Sequence, residues 1–105
     1  MNSEDSTKLI EKIALYLSTI PTSEWEEICV EAEIDDSMAD LCIWVVDATG
    51  KESYPEVTRE LVQDFVSLRK IISQPEKGIW TKCLYTLAKS GKFNTKFSYG
   101  KPRWA

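Results

Sequence analysis

The stretch "EICVEAEIDDSMADLCIWVVD", residues 27–47, decides the fold. Its first eight residues alternate strictly. Ile28, Val30, Ala32 and Ile34 fall on one side of an extended chain, and Glu27, Cys29, Glu31 and Glu33 on the other. The tract "DDSM" at 35–38 has the composition of a turn. Alternation then resumes over 39–47, with Leu41, Ile43 and Val45 opposed to Asp40, Cys42, Trp44 and Val46. Two strands with one apolar face each, joined by a short polar turn, predict a β-hairpin.

Outward from this hairpin the period changes. On the N-terminal side, residues 6–20 place Leu9, Ile10, Ile13 and Leu17 at helical spacing, with Asp5 or Ser6 available as cap and Pro21 as stop. On the C-terminal side, residues 48–53 read as a loop. Ser53 and Glu56 then stand three apart like a capping box, with Pro55 tolerated in the first turn. The helix they predict runs to about Ser73, with Val57, Leu61, Phe65, Leu68 and Ile72 on one stripe, and Gln74-Pro75 ends it. Residues 78–88 and 92–99 form a second hairpin around Ser90-Gly91. The order αββαββ predicts an α+β domain over residues 1–105, with an antiparallel sheet of about four strands and both helices packed against it.

At 105 residues, 43% of them hydrophobic, the chain has the size and composition of one globular domain. Its start, MNSEDSTK, lacks the basic and apolar regions of a secretory signal, and no apolar run approaches the roughly 18–20 residues of a membrane span. A soluble, cytoplasmic protein without a membrane partner is expected. Cys29, Cys42 and Cys83 are odd in number and unpaired in spacing, so each is expected to act as a small buried hydrophobe. The net charge of −4 conceals a dipolar chain. Residues 1–64 carry sixteen acidic against four basic side chains, and residues 65–105 one against nine.

Little in the sequence carries reaction chemistry. There is no histidine, hence no ordinary general base at neutral pH and no imidazole ligand for a metal. The four glycines make neither a phosphate-binding loop nor a dinucleotide fingerprint. "EIDDSMAD" offers oxygen ligands but lacks the glycine and closing glutamate of an EF-hand loop. The basic, aromatic stretch "GKFNTKFSYGKPRWA" does not have the spacing of an RNA-recognition strand, and Phe93, Thr95, Phe97 and Tyr99 share one strand face as core residues do. No enzyme activity, cofactor, metal or direct nucleic-acid binding is expected.

Residues 24–40 hold eight carboxylates and no basic side chain. Like charges two apart on one strand face sit near 7 Å, where repulsion in water is roughly 0.6 kcal/mol per pair. A merely solvated acidic face is therefore affordable. The absence of interspersed lysine, and an aromatic beside the acid, point instead to a partner-binding surface. Its candidate residues are Glu27, Glu31, Glu33, Asp35, Asp36 and Asp40, with Trp44 as anchor; the alternative for Trp44 is packing beneath the first helix.

Trp25, Gly78-x-Trp80-Thr81, "GKF" at 91–93 and Phe97-x-Tyr99 resemble the YezG-like immunity proteins, over residues 25–99. The resemblance implies a small α+β antitoxin that binds the C-terminal domain of a cognate toxin, often a nuclease, among polymorphic and contact-dependent growth inhibition toxins. A one-to-one complex covering a basic nuclease active site is the expectation. An acidic chaperone for a secreted effector is the alternative.

Overall fold

The computed structural model describes residues 3–21, 24–74, 78–102 and 104. Helix α1, Ser3–Ser18, begins ahead of the expected caps Asp5 and Ser6, which lie inside it. Ile10, Ile13 and Leu17 are its buried stripe. It ends where Ser18 and Thr19 turn their hydroxyls back onto the carbonyls of Leu15 and Tyr16, before Pro21.

Strands β1 (Trp25–Ile34) and β2 (Ala39–Asp47) form the expected hairpin, in register from Ile34↔Ala39 to Trp25↔Asp47. Near the start of β1 the register shifts, with Trp25↔Asp47 followed by Glu27↔Val46. Glu26 is thus an inserted residue, a bulge that reverses the alternation. Trp25, which strict alternation would place with Glu27, packs against the core instead.

Residues 52–53, expected to lie in a loop and helix cap, form a short strand β3 (Glu52–Ser53) against β2. Helix α2 consequently starts later, at Arg59, and runs to Ile71. Its N-cap is Thr58, whose hydroxyl accepts the Leu61 N–H, rather than Ser53. Two-residue strands β4 (Ser73–Gln74) and β5 (Gly78–Ile79) pair with each other; Pro75, the expected stop, lies outside the described residues. The second hairpin is β6 (Lys82–Ala88) and β7 (Phe93–Ser98).

The main sheet has five strands, in the order β3-β2-β1-β6-β7 with every pair antiparallel. The α+β reading holds, with one more strand than expected and a small second sheet. One face of the sheet supplies Ile28, Val30, Ala32, Ile34, Ile43, Val45, Cys83, Tyr85 and Leu87 to a core shared with Leu61, Phe65 and Leu68 of α2 and the α1 stripe. Tyr85 donates its hydroxyl to the Ile10 carbonyl at 3.1 Å and meets Phe65 edge-on, at 6.1 Å between ring centroids. Lys12 on α1 bridges Asp64 (3.0 Å) and Glu60 (3.7 Å) on α2. This gives the buried Asp64 carboxylate the partner that burial demands.

Candidate functional site

With both helices on one face, the other face of the sheet is free of helix cover among the described residues, and the register states what it carries. Rows across the strands read Glu52, Val46, Glu27, Ala88; then Trp44, Cys29, Thr86, Asn94; then Cys42, Glu31, Leu84, Lys96; then Asp40, Glu33, Lys82, Ser98. Glu27, Glu31, Glu33, Asp40 and Trp44 thus share one surface. Trp44 is half-buried there and does not sit beneath α1.

Two residues outside the expected set complete this surface. Glu52 flanks Val46 on the side opposite Glu27, and exposed Tyr54 donates its hydroxyl to the Glu52 carboxylate at 2.8 Å. That contact, followed by the charge of Glu52, raises the phenol's pKa. Their signal lies in the turn. In Asp47-Ala-Thr-Gly50-Lys51, Asp47 N–H donates to the Lys51 carbonyl and Gly50 N–H to that of Asp47, with Gly50 at φ +88°. Ala88-Lys-Ser-Gly91-Lys92 repeats both bonds, with Gly91 at φ +93°. A Thr-Gly-Lys and a Ser-Gly-Lys thus mark two hairpins of one design.

The acids differ in how the chain itself engages them. Asp36 accepts from Arg69 at 3.1 Å, and Glu31 lies 3.8 Å from Lys82. Glu33 is only 7% exposed. Glu27 accepts a hydrogen bond from the Cys29 thiol at 3.1 Å. Burial first, then this contact and the Glu27 charge, pushes that thiol up to about 12, so Cys29 stays protonated and unreactive at neutral pH. Cys83 is buried and raised likewise, by burial, whereas Cys42, expected to be buried, is exposed on the open face opposite Glu31.

Asp35 organises the hairpin turn. Its Oδ1 accepts from the Ser37 and Met38 N–H groups, at 2.8 Å each, and from the Ser37 hydroxyl. Its Oδ2 accepts the Trp104 indole N–H at 2.8 Å, tying the chain's end to the turn. The indole bond first, then the Ser37 backbone, holds this carboxyl down at about 2 against an ordinary 3.8. A folded pKa below the unfolded one means that the ionised form is favoured by folding. The latch is therefore complete above about pH 4 and released as pH falls through about 2. The Trp104 indole N–H resonance should move across that window, and in Asp35→Asn should stay constant through it.

Row by row, and among the described residues, these strands place five carboxylates and two ammonium groups, Lys82 and Lys96, on the open surface, so it is acidic along β3, β2 and β1 and basic along β6 and β7. The boundary is the Glu31–Lys82 pair. Between the acids stand Trp44, Tyr54 and Val46, apolar area inside a charged rim. Among the described residues no cluster of three or more His, Cys, Asp or Glu side chains is placed to hold a metal. Among them, too, no helix is long and apolar enough to cross a membrane.

A protein-family model described as Immunity protein YezG-like matches residues 40–103, from the start of β2 to the C-terminal tail. No curated protein matches the chain. The family match begins at Asp40 and leaves β1 outside it.

Proposed function

The chain belongs to the YezG-like immunity protein family, and from that premise we propose that it neutralises a cognate toxin domain by laying the open face of its sheet over a cationic surface of that domain. Immunity proteins act by binding, which asks of the fold a rigid, accessible and chemically distinctive surface rather than a reaction centre. The observation that carries the reading is the grouping of Trp44, Tyr54 and Val46 between Glu27, Glu52, Glu31 and Asp40, on a sheet face that neither helix covers.

A nuclease fits this surface best. Its active site is cationic because it must hold phosphate, and carboxylates at fixed spacing compete for the same positions. The dipolar layout narrows the match: Lys82 and Lys96 would repel a uniformly basic groove, so the β2–β3 side meets the cationic site and the β6 side its border. Complementary fields of this kind raise association toward about 10⁸–10⁹ M⁻¹s⁻¹, which suits capture of a toxin in the cytoplasm before it reaches substrate. Of the acids named from the sequence, Glu27, Glu31 and Asp40 supply charge to the contact together with Glu52. Glu33 sits low in the face, and Asp35 and Asp36 serve the turn and its tie to Arg69.

Co-expression with the toxin domain encoded beside it tests the proposal. Growth should be restored, the two chains should copurify at one-to-one stoichiometry, and the complex should show no nuclease activity. A copurified toxin that remained active would instead identify a chaperone.

A further inference from the structure

A second feature lies on the other side of the sheet and is not used by the open face. Leu15 of α1 is 71% exposed and Phe93 of β7 43% exposed, and both line a groove of about 460 Å³ with Ala14, Trp25 and Leu87. Single exposed apolar residues are ordinary, but two of them together in one concavity with a tryptophan are the mark of a contact site.

Beside this groove runs the edge of the sheet. Among the described residues β7 is the terminal strand, paired with β6 alone within the sheet. The Ala88 N–H donates to the Lys92 carbonyl at 2.8 Å, which makes that pair a hydrogen-bonded one. Alternation along an antiparallel ladder then turns the backbone of Asn94, Lys96 and Ser98 toward β6, and that of Phe93, Thr95 and Phe97 toward the open edge. An open edge is a template for one more strand. Lys92 at the hairpin end and Lys96 along β7 favour a strand bearing acidic side chains, whereas Lys89 already lies 4.0 Å from Glu24.

We infer that an extended segment of the toxin, apolar at one or two alternate positions and flanked by Asp or Glu, adds to the β7 edge and sets its apolar side chains into the Leu15–Trp25–Phe93 groove. The inference rests on the immunity reading for the identity of the partner. It is continuous with the open-face contact, because Trp25 also lines a concavity of about 360 Å³ shared with Asp47, Lys51 and Glu52 at the acidic end of the sheet. One partner can therefore hold the Glu27–Glu52 surface and reach around Trp25 to the edge. Backbone pairing contributes affinity there, and the groove selects side chains at alternate positions.

The test is amide hydrogen exchange on the chain alone and in complex with the toxin domain, with affinities of three variants. The amides of Phe93, Thr95 and Phe97 should become protected in the complex. Thr95→Pro removes an edge N–H that the β6 pairing does not use, and should weaken binding by about tenfold. Leu15→Glu with Phe93→Glu should weaken it at least as much, with a thermal melt of that variant as the folding control because the Phe93 ring stacks on Tyr85 at 6.2 Å, and Lys92→Glu should weaken it less. Bound toxin with unchanged exchange at 93–97 and unchanged affinity for the Leu15/Phe93 variant would overturn the inference and leave the open-face reading standing. Protection of those amides in a dimer of the chain alone would assign the edge to a second copy and overturn it too. Failure of the wild-type chain to bind the toxin would remove both readings.

Discussion

Charge reversal at two positions together, Glu27→Lys in β1 and Glu52→Lys in β3, should lower affinity for the toxin domain by about 100-fold, mostly through slower association. The two side chains flank Val46 across adjacent strands, so both act on one region of a partner's surface. The salt dependence is the sharper readout. Wild-type association should slow steeply between low and physiological ionic strength, because the Debye length shrinks to about 8 Å, whereas the variant should lose most of that slope. Folding should be nearly unaffected, since both positions are exposed and their losses are small: the Cys29 thiol contact to Glu27 and the Tyr54 hydroxyl contact to Glu52. Thermal melts within a few degrees of wild type, together with unchanged association rates, would place the cationic partner on another face.

The largest loss of stability should come from Phe65→Ala. The ring is fully buried at the centre of α2 and meets Tyr85 edge-on, where it joins the helix layer to β6. Truncating a buried aromatic costs about 3–5 kcal/mol, the transfer loss plus the cavity left behind. Domains of this size are stable by about 5–15 kcal/mol in all, so the variant should unfold at much lower urea and be partly unfolded at growth temperature. Leu15→Ala, at a position 71% exposed, provides the contrast and should shift the urea midpoint very little. Equal midpoints for the two variants would mean that the helix layer is not held through this contact. The toxin complex should rescue Phe65→Ala by an amount that grows with the logarithm of toxin concentration, because a partner that binds only the folded chain adds stability by mass action.

Local patterns explain what is legible in the sequence. In β1, the period of two separates Ile28, Val30, Ala32 and Ile34 from the glutamates, because an extended chain offers no other way to bury one set and solvate the other. The α2 stripe through Leu61, Phe65 and Leu68 follows for the same reason at a period of 3.6. Element ends are harder. Ser53 and Glu56 have the spacing of a capping box, but pairing of residues 52–53 with β2 outweighs it and moves the cap to Thr58. Alternation also misplaces Trp25, because a one-residue bulge leaves no trace in composition. Of the candidate surface, the shared side of Glu27, Glu31 and Glu33 can be read directly. Glu52, Tyr54 and the groove at Leu15 cannot, since each depends on a partner distant in the chain.

By itself the sequence determined the two helices and the two hairpins, their apolar faces and the crowding of carboxylates into one segment, since each of these is a property of neighbours along the chain. Tertiary structure alone decided that β1 lies between β2 and β6. That pairing sets an acidic strand beside a basic one and closes the Glu31–Lys82 contact, so that the open face is acidic along β3, β2 and β1 and basic along β6 and β7. The physical reason is that pairing between hairpins is chosen by burial of one common core, a condition on the whole chain that no short window of residues can express.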